Sequence, residues 1–306
     1  MSGAAIQWMP NAGHTGRQLA AVLGIPANEI AVHRFPDGEL RVTVGPAAPT
    51  TIVFGSLDQP NEKLIALIFA AEALRREGAR RLVLVAPYLA YMRQDFAFHA
   101  GEAISQRIVG EMLARTFDRI VTVEAHLHRT ATLQAVFPGI EADNLSAMPA
   151  VAAALRTGQL DPTTVLVGPD EESRSWVTDL GVRLGLDHAV AQKTRRGDRS
   201  VDIAFAKPAL FARRPVLLID DIVSSGGTLI ACAKALAASG VASIEAIVTH
   251  ALFPPQLMDE LQGAGIRSIR STNSVPHPTS AIALDDVLVT ALQREVVGVL
   301  VPENRP

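Results

Sequence analysis

Asp220 and Asp221 close an apolar run, Val216-Leu217-Leu218-Ile219, and soon give way to small residues, Ser224-Ser225-Gly226-Gly227-Thr228. The apolar run predicts a buried strand, and Leu229 to Ala238 predicts a helix. Between them lies an acidic turn and a phosphate-sized loop. Small residues at a helix N-terminus let backbone N–H groups reach an anion, and the helix dipole adds to the attraction. Two carboxylates repel phosphate but suit sugar hydroxyls or a magnesium ion. Together these features describe a site for a phosphorylated sugar. A helix N-cap accounts for one Asp, not for two ahead of such a loop. No Lys follows the glycines, so this is not a Walker loop.

Other groups carry chemistry but are less distinctive. Pro36-Asp37-Gly38 between two apolar runs is a turn signal by itself. The bland alternative for Arg93-Gln94-Asp95 is a solvated loop. His126 follows a predicted strand, where a lone His is more often a hydrogen-bonded structural residue. Asp170 after Val167-Gly168-Pro169 fits a helix N-cap. Lys193 precedes and Arg195 falls within Thr194–Arg199, the clearest charged, Gly-containing loop and a candidate mobile segment.

Periodicity supplies the elements that must position these groups. Predicted strands are Ile6–Met9, Ile30–Arg34, Leu40–Val44, Thr51–Phe54, Arg81–Ala86 and Arg119–Val123. A second set is Thr164–Val167, His188–Gln192, Val201–Phe205, Val216–Ile219, Ser243–Val248 and Ile266–Ser271. Predicted helices are Gly16–Leu23, Glu62–Glu77, Glu102–Thr116, Met148–Leu155, Glu172–Gly185, Gly227–Ser239 and Pro255–Gln262. This alternation argues for an α/β architecture with mostly parallel sheets and helices on both faces. Two halves divide near Asn144–Ala147, giving domains 1–145 and 146–306, with a C-terminal segment able to pack back on the first. Leu82–Pro87 and Val216–Asp221 each run an apolar strand into a polar loop, which suggests two similar folds.

Composition sets the outer bounds. The chain has 306 residues, 48% of them hydrophobic, enough for two substantial cores. A net charge of −3 offers no global basic field for nucleic acid. Cys232 stands alone, which excludes an intrachain disulfide and predicts a packed small hydrophobe. The N-terminus lacks a basic region followed by an apolar core, and no apolar run is long enough to span a bilayer. The expectation is a soluble cytoplasmic protein without nucleic-acid or membrane partners.

The Asp220–Thr228 stretch resembles the phosphoribosyl-pyrophosphate (PRPP) motif of type I phosphoribosyltransferases and ribose-phosphate pyrophosphokinases. Other segments separate those families. His33-Arg34-Phe35-Pro36-Asp37-Gly38-Glu39-Leu40 is similar to the pyrophosphokinase nucleotide segment, Arg-Phe-x-Asp-Gly-Glu. Pro87-Tyr88-Leu89-Ala90-Tyr91-Met92-Arg93-Gln94-Asp95 is similar to its Pro-Tyr-x-x-Tyr-x-Arg-Gln-Asp signature, and Gly101-Glu102-Ala103-Ile104-Ser105 follows at the expected distance. Thr249-His250 and Thr272-Asn273-Ser274 extend the likeness over nearly the whole chain.

The resemblance implies two tandem phosphoribosyltransferase-like (Rossmann-like) domains. It implies a Mg2+-dependent reaction that moves the βγ-diphosphoryl group of ATP to the C1 hydroxyl of ribose 5-phosphate, giving PRPP and AMP. Carried over residue by residue, it places ATP contacts at Phe35, Asp37, Glu39, Arg93, Gln94 and Asp95. It makes His126 and Asp170 metal ligands, and Lys193 and Arg195 the catalytic cations of a closing loop. Ribose 5-phosphate or PRPP would meet Asp220, Asp221, Ser224, Ser225, Gly226, Gly227 and Thr228. In the family the Phe35–Glu39 segment serves a neighbouring subunit, so a homo-oligomer of at least two copies is implied.

Several positions depart from the family pattern. Glu124 stands where Asp is usual, and Glu171-Glu172-Ser173 replaces a Gly-containing turn. Ser224 occupies a frequent Asp position, and Phe96-Ala97-Phe98-His99-Ala100 replaces a basic stretch. Fewer fixed cations predict weak or absent activation by phosphate. A noncatalytic regulatory homologue and a type I phosphoribosyltransferase are the alternatives. The retained Arg93, Lys193 and Arg195 oppose the first, and the N-terminal nucleotide segments oppose the second.

Overall fold

The computed structural model describes residues 3–158, 160–196 and 200–297. The chain divides into two compact units, one holding the residues up to Ser146 together with the segment from Asp285 onward, the other Ala147–Leu284.

The first unit runs β1 (Ala4–Trp8), α1 (Gly13–Leu23), β2 (Ala27–Glu29), β3 (Ala31–Arg34), β4 (Leu40–Thr43), β5 (Thr50–Phe54), α2 (Pro60–Arg76), β6 (Arg81–Ala86), α3 (Ser105–Thr116), β7 (Arg119–Val123), α4 (Leu133–Val136) and β8 (Glu141–Leu145). Six strands pair in parallel in the order β2-β1-β5-β6-β7-β8, while β3 and β4 form a separate antiparallel hairpin. Every residue of β1, β5 and β7 is buried, as is β6 beyond Arg81. Strands covered on both faces must read as continuous apolar runs, which is why they were legible. In α2, Pro60 opens the first turn, Glu62 faces the positive end of the dipole, and Arg75 and Arg76 face the negative end.

The second unit runs α5 (Met148–Thr157), β9 (Val165–Gly168), α6 (Arg174–Leu184), β10 (His188–Val190), β11 (Gln192–Arg196), β12 (Ser200–Ala204), β13 (Pro215–Val223), α7 (Gly227–Ala238), β14 (Ser243–Ala251), α8 (Leu257–Gly263), β15 (Ile266–Thr272) and β16 (Ser280–Ile282). Its parallel sheet has the order β10-β9-β13-β14-β15-β16. The first unit's topology is therefore repeated. In both sheets the first strand pairs with the second on one side and, after an inserted antiparallel hairpin, with the next sheet strand on the other. The second hairpin is β11 with β12. Cys232 lies fully buried in this unit's core beside Leu229, Ala233 and Leu236. Burial, then the charges of Asp220 and Asp170, push its thiol far above the ordinary range. It acts as a small apolar side chain.

The structure corrects several predicted boundaries. The strand expected to stop at Ile219 runs on to Val223, so Asp220 and Asp221 lie within β13 rather than in a turn. His188–Gln192 splits into β10 and the start of β11. The helix expected from Glu102 starts at Ser105, because Glu102 instead accepts the N–H groups of Phe98 (2.8 Å) and His99 (3.1 Å) in a turn. The unpredicted strands β2, β8 and β16 are all sheet edges, where one-sided pairing tolerates sequences such as Glu-Ala-Asp-Asn-Leu. Among the described residues, no helix is long and apolar enough to cross a membrane.

The last helix, α9 (Asp285–Val297), belongs to the first unit and packs against α1. A buried ion network fastens it there. Arg119, the first residue of β7, is 2% exposed and donates to Glu295 Oε1 at 2.9 Å and to Asp143 Oδ2 at 2.8 Å. Arg81, the first residue of β6, donates to Glu295 Oε2 at 2.7 Å and to Glu141 Oε1 at 2.8 Å. Burial alone would raise the Glu295 carboxyl. The hydrogen bonds and charges of Arg81 and Arg119 outweigh it and hold the group below its ordinary 4.5. Removing one partner of a buried pair strands the others, so Glu295→Gln is expected to cost about 3 kcal/mol of unfolding free energy in urea titrations at pH 7. A carboxyl held low stabilises the fold above its unfolded value and loses that contribution as pH falls through its folded value. The gap between wild type and variant should therefore close on acidification below about pH 4.5.

Candidate functional site

Ligands of open α/β sheets bind at the carboxyl ends of the strands, where the strand order reverses. In the second unit that point lies between β9 and β13. Asp170 follows β9, and Asp220 and Asp221 sit near the end of β13. Asp170 Oδ1 accepts the Glu172 N–H at 3.2 Å, capping a single 3-10 turn at Glu171–Ser173. Asp221 is buried and its Oδ1 accepts the Ile222 N–H at 2.7 Å. Asp220 is half-buried and its Oδ1 accepts the Asp221 N–H at 3.0 Å. Burial, followed by the charges of Asp221 and Asp170, pushes the Asp220 carboxyl well above the ordinary carboxylate range. The three carboxylates thus share one neighbourhood with surplus negative charge.

The loop 224–226 leads from β13 into α7, whose N-terminus begins at Gly227. Gly226 adopts a left-handed backbone, φ 72°, and a Cβ there would lie 2.8 Å from Leu257 Cδ2. Ser225 and Gly227 are exposed, Ser224 and Thr228 half-buried. The loop therefore offers hydroxyls and backbone at the positive end of a helix dipole. Beyond it, Thr249-His250 and Thr272-Asn273-Ser274 serve as clamps. Thr272 Oγ1 and Ser274 Oγ donate to Thr249 O at 2.6 and 2.8 Å, and His250 Nδ1 lies 2.8 Å from Ser274 Oγ. These groups are buried and tie β14 to β15. Lys193 and Arg195 lie on β11, opposite Ile203 and Val201 of β12. Their side chains, and residues 197–199 of the charged loop, lie outside the described part of the structure.

In the first unit the candidate residues gather after β6 and β7. The segment 92–95 is joined to α3 and to the segment after β7 by side chains that the motifs did not mark. Gln106, buried in the first turn of α3, donates from Nε2 to Met92 O at 3.1 Å and accepts from Thr130 Oγ1 at 2.8 Å. Ser105 Oγ donates to Gln94 Oε1 at 2.9 Å. Arg129 holds Asp95 through its backbone N–H (2.9 Å) and its Nη1 (3.0 Å). The ring of His126 stacks on His128 with centroids 6.4 Å apart. Arg93 is exposed. Neither Gln106 nor Arg129 sits at a telling spacing; only their partners reveal them.

Phe35, Asp37 and Glu39 occupy the tip of the β3–β4 hairpin. The Phe35 N–H donates to Glu39 O at 2.8 Å, and Asp37 Oδ1 accepts the Glu39 N–H at 3.1 Å. Gly38 takes the turn's left-handed position, φ 95°. The Phe35 ring is exposed, with His33 edge-on at 4.8 Å and the Arg41 guanidinium 5.9 Å above it. Among the described residues, no group of three or more His, Cys, Asp or Glu side chains is assembled to hold a metal by protein ligands alone.

Residues 9–116 match the N-terminal domain of ribose phosphate pyrophosphokinase, and residues 147–265 match the phosphoribosyl transferase domain. A ribose-phosphate pyrophosphokinase of Methanopyrus kandleri is 31% identical over 91% of this chain and 94% of its own. Ribose-phosphate pyrophosphokinase 2 of Archaeoglobus fulgidus is 34% identical over 91% of this chain and 96% of its own. The chain belongs to the ribose-phosphate pyrophosphokinase family. The crystal structure of phosphoribosylpyrophosphate synthetase from Mycobacterium smegmatis has the same fold, with a TM-score of 0.80 across 96% of this chain and 99% of that one, at 22% identity.

Within this pyrophosphokinase, two departures from the family pattern now have local explanations. Glu124 takes a left-handed backbone, φ 39°, and its Oε1 accepts from Ser146 Oγ at 2.8 Å, so the longer side chain anchors the loop before His126. Phe96 and Phe98 pack edge to face with centroids 6.0 Å apart under the Arg129 guanidinium. At the phosphate-sized loop, Gly226→Ala should lose about 1–2 kcal/mol from left-handed backbone strain alone, plus the clash with Leu257. Gly227→Ala, whose nearest neighbour beyond the adjoining residues is 3.9 Å away, should change stability by no more than about 0.5 kcal/mol. Urea unfolding of both variants checks the contrast.

Proposed function

We infer that this enzyme transfers the βγ-diphosphoryl group of ATP to the C1 hydroxyl of ribose 5-phosphate, releasing AMP and PRPP. The observation that carries this reading is the acidic strand end of Asp220 and Asp221 beside the N-terminus of α7, at the switch point of a pyrophosphokinase fold. The loop 224–228 receives the 5-phosphate through backbone N–H groups and hydroxyls. Asp220 and Asp221 orient the ribose hydroxyls. Arg93, Gln94 and Asp95 belong to the nucleotide site, and Lys193 and Arg195 stabilise charge on the transferred group.

Magnesium suits this donor set. Asp170, Asp220 and Asp221 supply oxygen, and a divalent cation would favour the charged form of Asp220, which burial and then the charges of Asp221 and Asp170 disfavour. Magnesium keeps waters and substrate phosphates as ligands, so one or two side chains suffice at each position. We assign Asp170 to an ion at the ribose site and His126 to the ion of Mg-ATP. When bound, the metal neutralises the phosphate oxygens that would repel the attacking hydroxyl. In the transfer the C1 hydroxyl would lose its proton to solvent and bond the β-phosphorus, while the bond from that phosphorus to the bridging oxygen breaks and that oxygen leaves on AMP.

The hairpin tip points to a shared site. A two-stranded hairpin with an exposed Phe35 ring is poorly stabilised alone. Beside it a groove of about 570 Å3 is lined by Gly38, Glu39, Leu40, Glu62, Ile65 and Phe69, with Ile65 and Phe69 exposed. A second copy of this chain would cover these residues and receive Phe35, Asp37 and Glu39 over its ATP. A cytoplasmic place in nucleotide biosynthesis completes the reading.

Purified protein incubated with Mg-ATP and ribose 5-phosphate should yield equal amounts of AMP and PRPP. Lys193→Ala should lower kcat about 100-fold or more. No product above that control sinks the assignment, and consumption of PRPP with an added nucleobase points to a transferase instead. Activity should be near its maximum without added inorganic phosphate; a steep rise from zero on adding it overturns the phosphate-independent reading. Co-expression of Phe35→Ala with Lys193→Ala should restore activity that neither variant has alone, because mixed dimers contain one intact site. Absence of that restoration argues against a shared nucleotide site.

A further inference from the structure

Asp95 falls within the nucleotide signature, yet its carboxylate faces the protein. Its side chain is 1% exposed. Oδ2 accepts the Arg129 backbone N–H at 2.9 Å and Oδ1 accepts Arg129 Nη1 at 3.0 Å. Both oxygens are thus engaged by one residue. A carboxylate so placed also repels a polyphosphate. What it does is fix Arg129.

Arg129 is held from a second direction as well. Its guanidinium carbon lies 5.8 Å from the Phe96 ring centroid and 5.6 Å from that of Phe98, within cation–π range of both. Those rings are themselves exposed and meet edge to face. The residue is therefore oriented before any ligand arrives, so binding need not order it. Yet the side chain remains 49% exposed, and among the described residues its donors other than Nη1 and the backbone N–H have no partner. Its remaining donors face solvent, where they are free to take an anion. The guanidinium is braced on one edge and open on the other. Its position completes the argument. It follows His126 by three residues and contacts the segment that carries Arg93 and Gln94.

We propose that Arg129 binds the phosphates of the nucleoside triphosphate, that Asp95 is its positioning residue, and that Phe96 and Phe98 back its guanidinium. The proposal rests on the assignment of the 93–126 neighbourhood to the nucleotide site. A planar fork with open donors suits two oxygens of one phosphate group, which a lysine amine contacts only as a point charge.

The test uses steady-state kinetics of the full chain with each substrate varied in turn, alongside thermal unfolding. Arg129→Gln should raise KM for Mg-ATP about tenfold or more, with KM for ribose 5-phosphate unchanged. That variant leaves Asp95 buried without its cation, so the double variant Asp95→Asn/Arg129→Gln removes both charges while keeping the shapes. It should be no worse than the single variant, because Asp95 acts through Arg129. A folded double variant with KM for Mg-ATP within about twofold of wild type overturns the proposal. Should the double variant not fold, Arg129→Lys decides, since it keeps the charge and loses the fork. A severalfold rise in KM for Mg-ATP supports the proposal and no change overturns it. Calorimetric titration of Mg-ATP into wild type and Arg129→Lys separates the two readings. If wild type makes no PRPP, the functional assignment fails, while weaker Mg-ATP binding by Arg129→Lys still upholds the role of Arg129 and equal binding refutes it.

Discussion

The central strands of both sheets are covered along both faces, and this constraint decides where polar groups can act. Residues in the middle of β1, β5, β6 and β7 are buried, and of the uncharged polar ones among them Gln7 and Thr51 are satisfied by backbone groups of neighbouring segments. A charge there would be desolvated without a partner. Chemistry is therefore pushed to the strand ends. Asp170 and the Asp220-Asp221 pair emerge at the carboxyl ends of β9 and β13, and the segments of Asp95 and His126 follow the carboxyl ends of β6 and β7.

The amino ends of the strands do a different job. Arg81, Arg119 and Glu141 open β6, β7 and β8; there Arg81 and Arg119 meet Glu295 of α9, and Glu141 pairs with Arg81 and with Arg294 of α9. Separation of the two ends keeps the buried ion network that locks the C-terminal helix away from the candidate site at the carboxyl ends. Arg119 tolerates burial because Asp143, Glu295 and the Ala291 carbonyl together satisfy its fork.

The topology is used twice, and each copy carries a hairpin at the same point in the strand order. The first presents Phe35–Glu39 and the second carries Lys193 and Arg195. A hairpin inserted between sheet strands does not interrupt the parallel ladder, so it can vary while the sheet stays intact. Each of the two similar scaffolds thus carries a candidate segment here.

Much of this was legible in the amino-acid sequence, for a physical reason. Buried parallel strands such as Arg119–Val123 read as apolar runs, and the Gly226 turn and the Pro36-Asp37-Gly38 hairpin are encoded by residues with few conformational options. The edge strands β2, β8 and β16 were not legible; β8, for example, is held by pairing with one neighbour rather than by its own composition. The extension of β13 through Asp220 and Asp221 was equally hidden, since its pairing with β14 overrides the poor strand propensity of Asp. Motif spacing placed Asp95 in the nucleotide segment, but only the folded chain brings Arg129 onto it across a sequence separation of 34. The chain determined locally which residues could bend, bury or bind. The tertiary structure decided which of them meet, because hydrogen bonds and ion pairs between distant segments leave no periodic trace in the sequence.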